Sequence, residues 1–198
     1  MTVPDAERRN HTIDYFRQLV EIVPADAVNG LDIGCGEGFA SRVLVGHGLR
    51  MTAVDIDLPS LELARAQDCA GITYLEADFM TADLPETYDV VVALAVLHHV
   101  PLEAGLERLK SLLNPGGTLL VVGLAASDLP RDAAWEAAAV IAHQAGRLTH
   151  REWAQPSPTV WPPPATYAQV REASGRILPG SKFSRKVKWR YTLTWVKP

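Results

Sequence analysis

The sequence predicts an α/β fold in which a mostly parallel, doubly wound sheet carries helices on both faces. Over residues 28–123, short apolar runs alternate with segments of helix length, a pattern typical of strand–helix–strand units with right-handed crossovers. The run at 88–94 is apolar enough to be buried on both sides, as the inner strands of a parallel sheet are. Hydrophobic residues make up 47% of the 198-residue chain, which is enough for one domain with a sizeable core.

The chain begins with a predicted helix over 5–23. Ile13, Phe16 and Val20 recur at helical spacing. A proline, Pro24, ends that pattern. The next segment alternates between predicted strands and predicted helices. Strands are predicted over 28–33, 50–54, 72–76, 88–94 and 118–123, and helices over 38–46, 59–67 and 102–113.

After the fifth strand the character of the sequence changes. An Ala-rich helix is predicted over 130–144. Five prolines within 155–165 exclude a regular helix or a central strand there. A last helix over 166–173 precedes two alternating strands over 182–188 and 190–196, joined by a tight bend.

We expect a single domain over 1–198. The longest apolar run, 90–97, is far shorter than the about 20 residues of a membrane-spanning helix. Cys35 and Cys69 form neither a disulfide framework nor a zinc-ligand spacing, and no signal-peptide core follows the first residues. We therefore expect a cytoplasmic protein without membrane contact. Its parts are an N-terminal helix (5–23), a core (28–123), a lid or insertion (124–165), and a closing helix and hairpin (166–198).

Charge is unevenly distributed along the chain. The net charge is −4, yet residues 176–198 carry seven Lys and Arg residues and no Asp or Glu. Such a basic end could meet an anionic substrate or a nucleic acid. We favour a solvated strand face, because charges on an edge strand also prevent pairing with other chains.

A glycine-rich loop joins the first predicted strand to the next helix. It reads DIGCGEG over residues 32–38. Gly34 and Gly36 have no Cβ, so the backbone can turn sharply and approach a ligand closely. In open parallel sheets, ligands lie outside the carboxyl ends of the strands, where the strand order reverses. The loop is therefore a candidate nucleotide site.

Two features of the loop argue against a dinucleotide. The third glycine, Gly38, comes one position earlier than in the dinucleotide pattern, and Phe39 stands where that pattern has glycine. A carboxylate at Asp32 would repel a diphosphate but attract an ammonium group. The glycine pattern by itself does not distinguish strongly between a dinucleotide site and another kind of nucleotide site.

Acidic residues follow the second and third predicted strands. Asp55 can accept hydrogen bonds from both hydroxyls of a ribose, although both classes of nucleotide site place an acid there. Asp78 can accept from an adenine amino group, with Phe79 or Ile56 packing on the ring. The alternative for Asp78 is an ordinary turn aspartate.

Together these segments resemble the class I S-adenosylmethionine-dependent methyltransferases. The resemblance rests on the loop, on the two acids, on DVVVALAVLHH at 89–99 and on LLNPGG at 112–117. It is strong over 28–123, which makes that segment the expected cofactor-binding core. The most similar branch acts on small molecules and includes enzymes of ubiquinone and menaquinone biosynthesis. More loosely, the whole chain resembles a group of small bacterial methyltransferases.

The resemblance implies a Rossmann-like sheet of seven strands with the last one antiparallel. It also implies S-adenosyl-L-methionine as cofactor and S-adenosyl-L-homocysteine as product. We expect no metal, because no cluster of metal ligands stands out. The implied contacts are Asp32, Gly34, Cys35 and Gly36 for the methionine part, Asp55 for the ribose, Ile56, Asp78 and Phe79 for the adenine, and Leu94 and Ala95 for the ammonium group.

Four residues are candidates for acid–base catalysis. His98 and His99 follow the fourth strand, and either could take a proton from an acceptor. We favour His98, because related cyclopropane-forming lipid enzymes carry an active-site glutamate at the matching position. Both histidines could instead hold the loop by local hydrogen bonds. His11 and Tyr15 share one face of the N-terminal helix, although core packing also explains Tyr15.

The acceptor is predicted to be a small molecule that is methylated at oxygen, nitrogen or carbon. Trp135, His143, Trp153 and Trp161 could line its pocket or simply pack the insertion onto the sheet. Residues 93–96 lack the Asn/Asp-Pro-Pro-aromatic pattern of enzymes that methylate amino groups of nucleic-acid bases. Two alternatives remain: a nucleic-acid modifying or binding protein that uses the basic C-terminal strands, and a cofactor-binding protein that does not methylate. The oligomeric state stays open.

Overall fold

A seven-stranded sheet organises the chain. The computed structural model describes residues 5, 7, 8, 10–84, 86–149 and 161–198. The strands are β1 (Asn29–Ile33), β2 (Arg50–Asp55), β3 (Ile72–Glu76), β4 (Tyr88–Leu94), β5 (Leu113–Gly123), β6 (Lys182–Lys186) and β7 (Arg190–Val196). The helices are α1 (His11–Val20), α2 (Phe39–Gly46), α3 (Leu58–Arg65), α4 (Leu102–Ser111), α5 (Ala133–Thr149) and α6 (Tyr167–Ile177).

The strand order is β3-β2-β1-β4-β5-β7-β6, and β7 alone runs against the others in this sheet. The predicted Rossmann-like sheet with its last strand antiparallel is therefore confirmed. The order reverses between β1 and β4, so the connections after these two strands leave in opposite directions. We call this place the switch point; the divergence opens a crevice at the carboxyl edge of the sheet.

Helices cover both faces of the sheet and bury its apolar strands. On one face, Phe16 of α1 and Leu44 of α2 pack in one cluster with Val90 and Val92 of β4. On the other face, side chains of α4 and α6 pack against the alternate residues of the same strands, including Val91. Both faces of β4 are therefore buried, and this burial explains its near-continuous apolar sequence.

The first helix is shorter than the predicted 5–23. It begins at His11 because the side chain of Asn10 accepts a hydrogen bond from the Ile13 N–H, at 2.9 Å. It ends at Val20, four residues before Pro24. Apolar periodicity marks the buried face of a helix, whereas the capping residue decides where the helix starts.

Helix α4 also ends before the predicted boundary. The prediction extended this helix to residue 113, but Leu113 already pairs with Tyr88 as the first residue of β5. The Tyr88 N–H donates to the Leu112 carbonyl at 2.9 Å. The register then shifts before Val90 pairs with Thr118, so the Asn-Pro-Gly-Gly turn lies within a strand rather than before one.

The two helices after β5 are longer than predicted, whereas the strand that follows them is shorter. Helix α5 runs from Ala133 to Thr149 instead of 130–144. Helix α6 runs from Tyr167 to Ile177 instead of 166–173, and Thr166 and Gln169 form a reciprocal capping box at its start. Strand β6 ends at Lys186, two residues before the predicted 188. Trp153 and the prolines at 156 and 158, which also carried predictions, lie outside the described residues.

Within the part of the chain that the structure describes, no helix is long and apolar enough to span a bilayer.

Loss of the Asn10 cap should weaken α1. We expect Asn10→Ala to lower the free energy of unfolding by about 1 kcal/mol, because the Ile13 N–H loses its acceptor. Asn10→Asp keeps a carboxylate oxygen in that place and serves as the control. Urea unfolding of the three proteins measures the difference. Equal stability of Asn10→Ala and wild type would contradict the assigned cap.

Candidate functional site

The glycine-rich loop crosses the carboxyl edge between β1 and α2. The N–H groups of Gly34 and Cys35 both donate to the Val54 carbonyl, at 2.8 and 3.1 Å, and so tie the loop to β2. Gly34, Gly36 and Gly38 all have positive φ, at 61°, 54° and 77°. L-residues rarely adopt this backbone conformation, so the loop's path requires glycine.

Close packing at Gly34 adds a second constraint. A Cβ on Gly34 would lie 2.4 Å from Cγ2 of Val96, which follows the end of β4. The loop after β1 and the turn after β4 therefore touch at the switch point. Sequence spacing predicted the loop, but it gave no sign of this contact.

The carboxylate of Asp55 joins the two neighbouring loops. Its Oδ2 accepts from the Gly36 N–H at 2.7 Å, and its Oδ1 accepts from the Asp57 N–H at 2.9 Å. An ionised carboxylate offers about four acceptor positions, so further hydrogen bonds from ligand hydroxyls remain possible. Asp55 is half-buried at the end of β2, as the ribose prediction requires.

Asp32 lies deeper than the predicted contact with the methionine part implies. It is 1% exposed, and its Oδ2 accepts from the N–H and the hydroxyl of Ser41, at 3.0 and 2.7 Å. Burial, together with a smaller effect of Asp55, raises the pKa of Asp32 to about 7 against the opposing effect of these hydrogen bonds. In the structure Asp32 fastens β1 to the first turn of α2.

The side chain of Cys35 points away from the carboxyl edge. It packs with Ala53 and Leu61 beneath the loop, and burial raises the pKa of its thiol. The backbone of Cys35 is therefore the part of this residue that lies in the loop facing the crevice.

The predicted adenine contacts fall into two groups. Ile56 is 73% exposed at the end of β2, and Asp78 is exposed after β3, where its Oδ1 accepts from the Met80 N–H at 2.9 Å. The ring of Phe79 is instead buried in the main core. Of the two apolar candidates, Ile56 has the surface that could pack on a planar ring.

The turn after β4 contains a strained residue. Ala95 has a φ of 57°, which is unfavourable for a residue with a Cβ, and its N–H donates to the Val122 carbonyl at 2.7 Å. Leu94 and Ala95 are both half-buried, and Val96 then meets the glycine loop. Strained backbone of this kind is concentrated at functional sites in proteins, so its position beside the loop supports the predicted site.

The two histidines that follow each other in the sequence differ in their burial. Both belong to a single 3₁₀ turn, Leu97–His99, and their ring centroids are 4.1 Å apart. His99 is exposed, whereas His98 is 7% exposed. Neither ring nitrogen of His98 has a hydrogen-bond partner among the described residues. Burial lowers the pKa of His98 to about 4, with further effects from His99 and Arg190, so its ring is neutral near pH 7.

His98 lines a cleft of about 480 Å³ between the β4–α4 connection and α6. Its walls are mostly apolar, and a Glu103–Arg176 ion pair, 2.5 Å between Oε1 and Nη2, lies at its rim. We call this volume the His98 cleft. The residues that line it are Leu97, His98, Val100, Pro101, Leu102, Glu103, Leu124, Pro164, Ala165, Gln169, Val170, Glu172, Ala173, Arg176 and Tyr191.

The other predicted catalytic residues make different contacts. The Tyr15 hydroxyl donates to the Val187 carbonyl at 2.9 Å, and burial raises the pKa of Tyr15. The His11 ring lies edge-on to His143, 5.9 Å between centroids, and His143 in turn contacts Trp189. These contacts join α1 and α5 to the β6–β7 hairpin, and none of the five residues lines the His98 cleft.

The predicted tryptophan lining is also not found in the His98 cleft. Trp135 is partly exposed on α5 and carries the Arg185 guanidinium 5.0 Å from its ring. Trp161 is exposed as well. Neither residue is among those that line the cleft.

No sequence pattern predicted the ion-pair cluster on the N-terminal side of the loop. Arg42 of α2 binds both carboxylate oxygens of Asp5, at 2.6 and 2.9 Å, and Arg8 pairs with Glu37. Arg8 is only 2% exposed, although it precedes the first helix. These residues are far apart in sequence, so only the folded chain brings the N-terminal segment onto the glycine loop.

The basic C-terminal hairpin is partly neutralised by contacts within the chain. Arg185 pairs with Asp132 at 2.5 Å and lies 3.9 Å from the Tyr167 ring. The Arg190 Nε donates to the Thr12 hydroxyl at 3.0 Å. Part of the predicted solvated basic face therefore serves to attach α1 and the segment before α5 to the sheet.

No group of three or more His, Cys, Asp or Glu residues within the described residues could hold a metal ion.

Comparisons with known proteins agree with this geometry. A family model described as a methyltransferase domain matches residues 31–121. An uncharacterized methyltransferase of Mycobacterium tuberculosis (strain ATCC 25618 / H37Rv) is 36% identical over 192 residues, which cover 96% of this chain and 97% of that protein. A ubiquinone biosynthesis O-methyltransferase of Stutzerimonas stutzeri (strain A1501) is 37% identical over 93 residues, 44% of this chain and 40% of its own length.

A solved structure shows the same fold. The N-methyltransferase NodS from Bradyrhizobium japonicum WM9, in complex with S-adenosyl-L-homocysteine, has a TM-score of 0.61 at 17% identity. The similarity covers 96% of this chain and 89% of NodS. Because a relative matches nearly the full length, this chain belongs to the class I S-adenosylmethionine-dependent methyltransferases. The predictions of an enzyme and of its cofactor are thereby confirmed.

The contact between Gly34 and Val96 can be tested by substitution. We expect Gly34→Ala to cost about 1 kcal/mol for the left-handed backbone and about 1–3 kcal/mol more for overpacking against Val96. Gly48→Ala is the matched control, because Gly48 also has a positive φ but no atom lies within 4 Å of a Cβ there. Chemical unfolding compares the two variants. Equal losses of stability would show that the loop does not press on Val96.

The buried state of His98 predicts a pH-dependent stability. Between about pH 4 and pH 6.5 the unfolded chain binds a proton at His98 and the folded chain does not. The free energy of unfolding should therefore fall as pH falls through this window, by up to about 1.4 kcal/mol per pH unit for this one group. His98→Gln should remove that contribution, while substitution of exposed His47 by Gln should leave it unchanged. Parallel pH profiles of wild type and His98→Gln would refute the assignment.

Proposed function

We propose that this enzyme transfers the methyl group of S-adenosyl-L-methionine to a small-molecule acceptor bound at the carboxyl edge of β4 and β5. The observation that carries the proposal is the meeting of the glycine loop, Asp55 and the strained Ala95 at the switch point. The loop and the turn at Ala95 both contain left-handed backbone, and the Asp55 carboxylate fastens the loop, as expected of a pre-formed ligand site.

Each part of the cofactor has a matching group on the chain. The backbone of Gly34, Cys35 and Gly36 faces the methionine part, and Asp55 accepts from the ribose hydroxyls. Asp78 accepts from the adenine amino group. Ile56 packs on the adenine ring, because its side chain is the exposed apolar group at that point.

Asp32 acts on the methionine part through the backbone. Its bonds to Ser41 hold the start of α2 against β1 and thereby set the position of the loop between them. The carbonyl groups around Leu94 and Ala95 accept from the ammonium group. The left-handed turn at Ala95 sets the direction of its carbonyl.

When bound, the cofactor supplies an electrophilic methyl group on a sulfonium with a good leaving group. The protein's main contribution is then to position the acceptor in line with that group and to keep water away. A general base is needed only when the acceptor must lose a proton, and His98 in the turn after β4 is the candidate that the sequence favours.

The acceptor is proposed to be a small molecule. The S. stutzeri relative is named as an O-methyltransferase and NodS as an N-methyltransferase, so similarity alone leaves the acceptor atom open. An open cleft with largely apolar walls beside the turn after β4 supports a small ligand. A nucleic-acid substrate is less well supported, because Arg185 and Arg190 of the basic hairpin are engaged by groups of this chain.

The ribose contact provides a test of cofactor binding. Asp55→Ala should weaken binding of S-adenosyl-L-homocysteine by about 10–100-fold, because two charge-assisted hydrogen bonds are lost. Asp57→Asn is the control, since an asparagine at 57 can still cap α3 at the Ser60 N–H. Isothermal titration calorimetry measures both. If Asp55→Ala retains its fold and binds S-adenosyl-L-homocysteine as tightly as wild type does, the proposed ribose site is contradicted.

Transfer itself is tested with isotopically labelled S-adenosyl-L-methionine and a metabolite extract. We expect a labelled small molecule in the mass spectrum, and less of it with the Asp55→Ala variant at the same cofactor concentration. Binding of the cofactor without any labelled product would favour a protein that no longer methylates. Label found in RNA or DNA from the same extract would favour the nucleic-acid alternative.

A further inference from the structure

Arg8 is a charged side chain that is buried beside the glycine loop. It is 2% exposed, and its guanidinium pairs with the carboxylate of Glu37 and, at 3.1 Å, with that of Asp5. A guanidinium inside a protein requires carboxylates and hydrogen bonds to compensate for the water that it loses. Glu37 is itself only 8% exposed, so the Arg8–Glu37 ion pair is buried on both sides.

Glu37 occupies the part of the loop that is hardest to hold in one shape. It lies between Gly36 and Gly38, which both have left-handed backbone. Glycine loses more conformational freedom on ordering than any other residue, so a loop with three glycines is costly to fix. Asp55 fastens the Gly36 N–H from the end of β2. Arg8 fastens the next residue from the N-terminal segment.

A second arginine joins the N-terminal segment to the same loop. Arg42 of α2 binds both carboxylate oxygens of Asp5, and its Nη1 donates to the Glu37 carbonyl at 2.5 Å. Arg17 of α1 donates to the Asp5 carbonyl at 2.6 Å. Arginines therefore hold both the carboxylate and the carbonyl of Glu37, and Asp5 connects these arginines to each other.

The arginines favour the ionised form of both carboxylates. Burial raises the pKa of Glu37, and Arg8 and Arg42 oppose that effect. Burial acts in the same direction at Asp5, but there Arg42 and Arg8 prevail, and the pKa of Asp5 is lowered. Removal of Arg8 would leave Glu37 as a buried carboxylate with less compensation.

An ion pair of this kind fixes geometry more than it stabilises the fold. The cost of taking two charges out of water offsets most of their attraction, and well-packed apolar side chains often give equal stability. The Arg8–Glu37 pair does hold its two groups in one arrangement. A loop that is already held in its bound shape loses less entropy when a ligand binds, so binding is tighter.

We propose that Arg8 is a positioning residue for S-adenosyl-L-methionine, because it acts through Glu37 to hold the glycine loop in the shape that receives the methionine part. This inference rests on the proposed function, since it requires the loop backbone to face the cofactor. Arg8 itself does not contact the cofactor. Because the coupling is reciprocal, the cofactor in turn strengthens the attachment of the N-terminal segment to the loop.

Calorimetric titration with S-adenosyl-L-homocysteine tests the role of the pair. Arg8→Met and Glu37→Gln each remove one charge and keep a side chain of similar length. Each should weaken binding about tenfold, and the double variant should also lose about tenfold rather than about a hundredfold, because both changes break one interaction.

Arg185→Met is the matched control for loss of an internal ion pair. Arg185 pairs with Asp132, both side chains are 13% exposed, and β6 lies at the far edge of the sheet from the loop. This variant should bind S-adenosyl-L-homocysteine within about twofold of wild type. If Arg8→Met and Glu37→Gln unfold more easily but bind as tightly as wild type in their folded state, the pair serves stability alone and the proposal is overturned.

The Glu37→Gln variant separates this role from a direct contact of Arg8 with the cofactor carboxylate. A direct contact predicts that Arg8→Met loses affinity while Glu37→Gln keeps or gains it, since a competing carboxylate is removed. That pattern, or losses that multiply in the double variant, would overturn the proposal.

Hydrogen exchange measures the reciprocal effect in the unaltered protein. With saturating S-adenosyl-L-homocysteine, amides of the peptide that contains Asp5 and Arg8 should exchange more slowly, by up to about tenfold, and Glu37→Gln should lose this protection. Unchanged exchange in wild type would reject the coupling. If wild type binds the ligand but these tests fail, only the role of Arg8 is rejected, whereas absence of binding to wild type would reject the proposed function itself.

Discussion

The contact between the glycine loop and the turn after β4 is the constraint on which the site depends. Gly34 must lack a Cβ because Val96 occupies that space, and Gly34 also requires a left-handed backbone. The contact joins the two strands between which the sheet order reverses. Asp55 fastens the loop from β2, and Ala95 takes a strained conformation on the other side. Left-handed backbone on both sides, together with the side chains of Val96 and Asp55, therefore shapes the crevice.

Polar groups around this crevice divide into those that hold it and those that could face a ligand. Asp32 is turned inward to Ser41, and Tyr15 binds the Val187 carbonyl, so both stabilise the frame. Asp55 retains acceptor capacity, and His98 has no partner in the described chain. An unpaired buried imidazole weakens the folded state, and a protein retains such a cost where function requires it. Burial without a partner in the described chain distinguishes His98 from the exposed His99.

Much of the fold was predictable because local patterns report it directly. Alternating strands and helices indicated the parallel sheet, and the apolar run of β4 indicated burial on both faces. Helix ends were less predictable, since Asn10 and Thr166 set them by hydrogen bonds that periodicity does not contain. The start of β5 depended on pairing with β4 across a register shift, which is a contact between distant segments.

By itself, the sequence determined the fold class and the residues at each strand end, because those follow from spacing along the chain, and the resemblance of its motifs indicated the family. The tertiary structure decided what each of them faces. It left Ile56 exposed but buried Phe79, and it placed His98 in a cleft with α6. It also brought Arg8 onto Glu37 of the glycine loop. These outcomes depend on which surfaces meet when the sheet and helices pack, and no local pattern of residues encodes such long-range contacts.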